Sequence, residues 1–532
     1  MSNAWIPMST DSIRMNQALK LNFIIKNRNI TLEEFEEILE SNSKIQLAND
    51  CKKRVKLSEK FLASLLKRNV LLYGINTGYG PLATTHIPLS DSKELQRNLI
   101  YHLATGVGDS FSELHVKALM LSRIICLSKG FSAISLSSLN TLIDFYNYEI
   151  FPVIPKLGTV GASGDLTPLA HMTLALMGES FVFYKGKKLS SKKVIQKLKL
   201  KPIDLGPKEG LALVNGTSVM TGISAVNGIL SLRALNLAIS LSVIYAEILE
   251  GKEEAFHPLI GEVKPHPGMK EILKSFNSRA KGSSRFKKRK ELNLTTGISY
   301  DNELLQDAYS IRCIPQILGA VSDVIETHNK TVTIELNSVT DNPIFVLPKE
   351  IVLHGGNFQG HSIALAADNL YNALTNIAIH SERKIARITD AKLNNGLPPF
   401  LQGDRNGLQS GFMGAQVTAT AVLAWIRSNA TPSSIQSIST NANNQDVVSM
   451  GTIAALKTSE CIDRVFDILA VEGLVLSQAF ELKGGFTEKS GFSQNSMELV
   501  KRIRKISPFL KKDRSLSKEI QSLSHAMKSN TL

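Results

Sequence analysis

The chain has 532 residues, 43% apolar and 20% charged, with a formal net charge of +14. That length allows a large buried core, and the ordinary composition, free of low-complexity tracts and fixed-period repeats, excludes a disordered, fibrous or solenoid protein. Four cysteines, Cys51, Cys126, Cys313 and Cys461, form no CxxC or Cys/His cluster, so neither a zinc site nor a disulfide framework is indicated and a reducing, cytoplasmic setting is expected.

Met1 to Lys20 lack an apolar stretch followed by a small-residue cleavage site, so no secretion signal is expected. The N-terminal part then alternates short helical patterns with Gly-, Thr- and Ser-rich turns at Tyr73 to Gly80, Gly158 to Asp165 and Asn215 to Gly222. From Ile223 onward, long stretches show helical spacing. Ile229 to Leu249 is apolar enough to suggest a membrane span, but the uncharged stretch between Arg233 and Glu247 is shorter than the roughly 20 residues a span needs, which predicts a buried bundle helix. The densest basic run, Arg279 to Lys290, includes Gly282, Ser283 and Ser284 and reads as a mobile solvated loop. With the other basic residues scattered, neither nucleic acid nor a membrane is expected as partner.

Val332 to Leu336 and Ile344 to Leu347 are short β-branched runs that predict small strands. His361 to Asn395 contains neither Gly nor Pro, and Leu370, Leu374, Ile377, Ile385 and Ile388 fall on one helical stripe; Thr452 to Glu472 predicts another long helix. Three long helices imply a bundle, so the class is mainly α. The expected division is a mixed, loop-rich N-terminal domain over 1–222, a long-helix bundle over 223–480 and a C-terminal helical segment over 481–532. Between the helices, Asn337 to Pro343, His354 to Gly360 and Ser439 to Gly451 are Gly/Asn-rich connections suited to turns, helix caps or the lining of a pocket.

Residues Gly158 to His171 read GTVGASGDLTPLAH. The dinucleotide and P-loop patterns are missing, and GxSxG is not matched around Ser163. An Ala-Ser-Gly tripeptide has a further option: the Gly164 nitrogen attacks the Ala162 carbonyl, and loss of two waters yields an electrophilic methylidene-imidazolone. Gly164 lacks a Cβ and so permits close approach, Ser163 supplies the methylidene carbon, and Asp165 is placed to assist proton movement. On its own the tripeptide is common and usually marks only a glycine turn before a helix.

The surrounding words are specific. GASGDLTPLAH at Gly161 to His171 is joined by YGINTGYG at Tyr73 to Gly80, LVNGTS at Leu213 to Ser218, YSIRCIPQ at Tyr309 to Gln316, NSVTDNP at Asn337 to Pro343, HGGNFQG at His354 to Gly360 and NNQDVVSMG at Asn443 to Gly451. Together they resemble the histidine/phenylalanine/tyrosine ammonia-lyase family over nearly the whole chain. The resemblance implies a fumarase/aspartase-like bundle of long helices, a homotetramer with sites shared among three subunits, and a 4-methylidene-imidazol-5-one formed from Ala162, Ser163 and Gly164, with no metal. It implies conversion of an aromatic L-amino acid to ammonia and a trans-unsaturated acid.

On this resemblance Tyr73 is the base for the β-proton, a task that requires a site supporting its anion or a relay, with Tyr309 and Gly80 in the network. Asn215 hydrogen-bonds the imidazolone oxygen, Arg312 with Asn342 binds the substrate carboxylate, and Phe358 lies at the pocket rim, where Gln359 departs from the usual residue. His102 and Leu103 resemble the tyrosine-selective branch, in which the histidine bonds the substrate phenol; a helix histidine satisfied by backbone is the other reading. Gln445 stands where histidine-specific members carry Glu. L-tyrosine is therefore the expected substrate and trans-p-coumarate the product, with histidine ammonia-lyase or tyrosine 2,3-aminomutase as alternatives and a non-enzymatic helical binding protein disfavoured.

Overall fold

The computed structural model describes residues 22–41, 43–288, 305–404, 407–487 and 489–532; the Met1 to Lys20 stretch and Arg289 and Lys290 of the basic run lie outside them. The chain is mainly α and forms two compact units. One comprises Met1–Leu157, Thr167–Val214 and Asp341–Gly355, the other Gly158–Leu166, Asn215–Thr340 and Gly356–Leu532.

The first unit is the loop-rich one. Its helices start on cues visible in the sequence: Thr31 and Glu34 make a capping box for Leu32–Glu40, and the Ser112 and Ser135 hydroxyls cap Glu113–Ser128 and Leu136–Asn147. Glu113–Ser128 is buried from Ala118 to Ser128, as its run of Leu, Ile, Met and Ala requires. The sheets are small. Phe23–Ile25 pairs in parallel with Ile45–Leu47, Val107–Ser110 antiparallel with Pro155–Leu157, and Ile344–Val346 antiparallel with Ile351–Leu353. A three-stranded sheet contains Phe151–Pro152, Phe181–Tyr184 and Lys187–Ser190, its hairpin closed by Lys185 and Gly186, both at positive φ as a tight two-residue turn demands.

The second unit is the bundle. Its main helices are Ser218–Ile248, Ile314–Leu336, His361–Thr389 and Gly451–Leu482. The 361–389 helix packs on 314–336 and 451–482, and the 218–248 helix packs on 314–336 and 451–482 in turn. Among the described residues 218–248 is the one helix long and apolar enough to cross a membrane, and it is instead the enclosed member of this bundle, in keeping with its apolar residues on every face. Glu247 near its end is buried, its carboxylate accepting from Ser493 N at 2.7 Å and from the Ser496 hydroxyl.

Two expectations are corrected. Val332 to Leu336 is the end of a 23-residue helix and not a strand. Leu318, Val321, Ile325, His328, Val332 and Leu336 recur every three or four residues and are all buried, so the packed face overrides the β-branched composition. The described part of the basic run, Arg279 to Lys288, is also more tied down than a solvated loop. Arg279 ends the Pro267–Arg279 helix, while Arg285 and Lys287 both pair with Glu250 and the Phe286 ring meets Phe256 and Phe276.

Candidate active site

In the bundle unit the Ala162-Ser163-Gly164 loop is held from two sides. Asp165 N donates to Gly216 O at 2.8 Å, and Met450 N donates to Val160 O at 2.9 Å. The Ser449 hydroxyl donates to Gly161 O at 3.0 Å, and Ala162 packs with Val448 and Met450. Gly164 has φ +69°, and a Cβ there would lie 2.2 Å from Gly216 O, so only glycine fits the bend. The Asp165 carboxylate is buried and accepts from Val219 N and Met220 N, both at 2.9 Å, and from the Thr452 hydroxyl. It thus caps the first turn of the 218–248 helix.

Two side chains converge on Ser163. Asn215 Nδ2 donates to its carbonyl oxygen at 3.1 Å and Gln445 Nε2 to its Oγ at 3.1 Å. The Thr440 hydroxyl donates to Gln445 Oε1 at 2.8 Å, which turns the amide so that its NH₂ faces the serine. A donor on the carbonyl oxygen, a donor on the leaving hydroxyl and a bend that excludes any Cβ fit cyclisation and dehydration of this tripeptide. On the same unit the single turn Tyr309–Arg312 presents Tyr309, 68% exposed, with the Arg312 guanidinium stacked 4.6 Å from its ring centre; Phe358 is half-buried in the 354–360 connection. Gln359 Nε2 reaches Val447 O at 3.1 Å.

The loop-rich unit holds the other expected residues. The Tyr73 hydroxyl accepts from Gly80 N at 2.9 Å, and its backbone N reaches His354 Nε2 at 3.5 Å. Beside it, burial and the Tyr73 phenol push the Tyr79 phenol well above its ordinary range, and Gln96 Nε2 donates to the Tyr79 hydroxyl at 3.0 Å. Burial and the Lys208 cation hold His354 below the usual histidine value. Asn342 Oδ1 accepts from Gly355 N at 2.8 Å. His102 and Leu103 end the Ser92–Leu103 helix, and His102 Nδ1 lies 3.0 Å from Asn98 O. A carbonyl only accepts, so Nδ1 is the donor in this contact, and the tautomer with its one proton there has Nε2 as the acceptor a phenol O–H needs. The backbone-satisfied and phenol-binding readings of His102 are therefore compatible.

Several residues here were not singled out in the sequence. Gln96 ties Gly74 O, the Tyr79 hydroxyl and Leu211 N together. Lys208 and Asp341 form a fully buried ion pair at 2.9 Å, and Lys208 Nζ also reaches Asn342 O at 3.3 Å. Asp341 lies within a recognised word, but Lys208, 133 residues earlier, carries no local signal.

A model of the aromatic amino acid lyase family matches residues 30–505. The tyrosine ammonia-lyase of Cereibacter sphaeroides is 44% identical over 502 residues, covering 93% of this chain and 96% of that one. A probable histidine ammonia-lyase of Thermoplasma acidophilum is 39% identical over 503 residues, 94% of this chain and 97% of its own. The solved structure of a phenylalanine aminomutase from Pantoea agglomerans superposes with a TM-score of 0.90 at 34% identity, over 95% of this chain and 99% of that one. The long-helix bundle, the ordered tripeptide loop and these similarities agree: the chain belongs to the aromatic amino acid lyase family and is a carbon–nitrogen lyase.

Proposed function

We propose that this enzyme deaminates L-tyrosine without oxidation, yielding trans-p-coumarate and ammonia. The observation that carries the reading is the convergence of Asn215 and Gln445 on Ser163 in a loop whose bend only Gly164 can make. Ala162, Ser163 and Gly164 are the source of a 4-methylidene-imidazol-5-one, whose oxygen Asn215 would hold, while Gln445 faces the hydroxyl that leaves; when formed it supplies an electrophilic carbon that makes the substrate nitrogen a better leaving group. No metal enters the proposal.

Arg312, with a planar fork of donors, binds the substrate carboxylate with help from Asn342. Leu103 and Phe358 flank the ring, and His102 Nε2 accepts the phenol O–H. Tyr73 takes the β-proton, with the Gly80 N–H on its oxygen and Tyr309 in the same relay. The Cβ–H electron pair becomes the Cα=Cβ π bond, and the Cα–N pair leaves with the nitrogen. The 44% identity to a tyrosine ammonia-lyase supports this substrate, and Gln445, where histidine-specific members carry Glu, argues against histidine. A homotetramer with shared sites in the cytoplasm completes the reading.

A second reading, favoured by the similarity to a phenylalanine aminomutase, returns ammonia to the β-carbon. Purified protein incubated separately with tyrosine, phenylalanine and histidine distinguishes the readings by ultraviolet absorbance and chromatography. Accumulating p-coumarate, lost in Ser163→Ala, supports the lyase. β-Tyrosine as main product establishes the mutase, and urocanate from histidine alone refutes the role of His102.

A further inference from the structure

The turn Tyr309–Arg312 is too short to hold its own shape, because a single helical turn fixes several dihedrals for about one hydrogen bond. Its N-cap, Ala308, has no polar side chain to cap it. Asp307 Oδ2 accepts from Lys252 N at 2.7 Å just before it, and Ile311 is buried. Tyr309 and Arg312, three residues apart, share one side of the turn and stack on each other.

Ser310 is engaged by the bundle. Its hydroxyl lies 3.0 Å from the Tyr245 hydroxyl of the 218–248 helix. Its carbonyl lies 3.0 Å from His380 Nε2 of the 361–389 helix, and since a carbonyl only accepts, Nε2 carries the proton. Both Tyr245 and His380 are buried. Burial and the neighbouring Lys384 push the His380 ring down to about 3, so it is a neutral donor, and burial raises the Tyr245 phenol above its ordinary range. Neither side chain belongs to a motif word.

We propose that Tyr245 and His380 are positioning residues that fasten the Tyr309–Arg312 turn to the bundle through Ser310, setting the pose in which Arg312 meets the substrate carboxylate. The inference rests on the carboxylate-binding role proposed for Arg312. It differs from a purely structural role in one respect: the damage from breaking the latch falls on ligands that carry a carboxylate.

Tyr245→Phe removes one hydroxyl and keeps the ring. The expected result is a rise of about five-fold in KM for tyrosine with kcat within about two-fold, the scale of one neutral hydrogen bond. Binding of trans-p-coumarate weakens by the same factor, while 4-vinylphenol, which lacks the carboxylate, binds unchanged. Ser310→Ala behaves alike, and the double variant is no worse than either single one because both remove the same bond. His380→Leu raises KM further, and His380→Gln, which restores an N–H, recovers part of it. Additive effects of Tyr245→Phe and Ser310→Ala, or equal losses for both ligands, overturn the latch. Arg312→Lys is the control. If it leaves KM and p-coumarate binding unchanged, the inference fails at its premise; if it weakens both while Tyr245→Phe changes neither, the latch alone fails.

Discussion

Gly164→Ala tests whether the bend at the tripeptide loop is required for its chemistry. At φ +69° an alanine costs about 1–2 kcal/mol in the left-handed region. Its Cβ would sit 2.2 Å from Gly216 O, a backbone atom that cannot rotate away; overpacking of this kind costs about 1–3 kcal/mol. Relief requires the loop to shift, which sacrifices the Asp165 N to Gly216 O bond, worth about 1 kcal/mol. The sum, about 3–6 kcal/mol, is comparable with part of a typical domain stability and can be escaped locally. The expected variant is folded, with Ser163 moved off Asn215 and Gln445. Near-ultraviolet difference absorbance of native against denatured protein reads the imidazolone, and urea unfolding reads stability. Gly186→Ala is the matched control, since φ is +71° there but nothing lies within 4 Å, and it should retain the absorbance and full activity. A Gly164→Ala protein with the full band and wild-type rate would refute the reasoning.

Stability should fall on acidification. Burial pushes His328 down to about 4 and His380 down to about 3. Both folded values lie below the unfolded value of about 6.5, so the unfolded chain binds the extra protons and stability is lost as pH falls from there toward those values. Between pH ~7.5 and ~5.5 the loss is about 1.4 kcal/mol per ring, read as a lower urea midpoint, and His328→Asn should remove about half of the pH dependence. Lys384 and Glu472 are fully buried at 2.6 Å, burial pushing the lysine down and the glutamate up. Lys384→Met alone should cost about 3–5 kcal/mol in urea unfolding, with Lys384→Met/Glu472→Leu regaining most of it; an unaffected single variant would show that the pair is inconsequential. His102→Phe should shift the tyrosine-to-phenylalanine ratio of kcat/KM by about ten-fold or more toward phenylalanine, and an unchanged ratio would remove His102 from substrate selection.

The sequence made the tripeptide loop and the long helices legible for different reasons. Helical stripes such as Leu370, Leu374 and Ile377 depend on local period alone, and the predicted His361 to Asn395 helix ends only a few residues sooner, at Thr389. The predicted Ile229 to Leu249 segment in fact begins at Ser218, the expected Asn215 to Gly222 turn ending early because Gly222, like Gly228, is buried within the helix. Gly228 is where Asn329 approaches, an added Cβ lying 2.1 Å from its Oδ1, so close packing and not flexibility explains that glycine. Partners were not legible where they lie far apart in the chain. Nothing local pairs Gln445 with Ser163, 282 residues earlier, or Lys384 with Glu472. The membership of 341–355 in the loop-rich unit is likewise set by contacts, among them Phe345 N to Phe131 O and the packing of Phe345 with Leu62 and Leu72.

The spacing of Ser163's partners also bears on timing. Asn215 follows the serine by 52 residues and Gln445 by 282, and the Asp165 carboxylate beside it is gripped by the starts of helices beginning at Ser218 and Gly451. A nascent chain on the ribosome therefore carries Ala162, Ser163 and Gly164 as an ordinary flexible peptide until the last of these pieces has been synthesised and docked. On the proposed formation of the imidazolone, ring closure then waits on the docking of Asn215 and Gln445, and a copy truncated before Gln445 is expected to lack the electrophile.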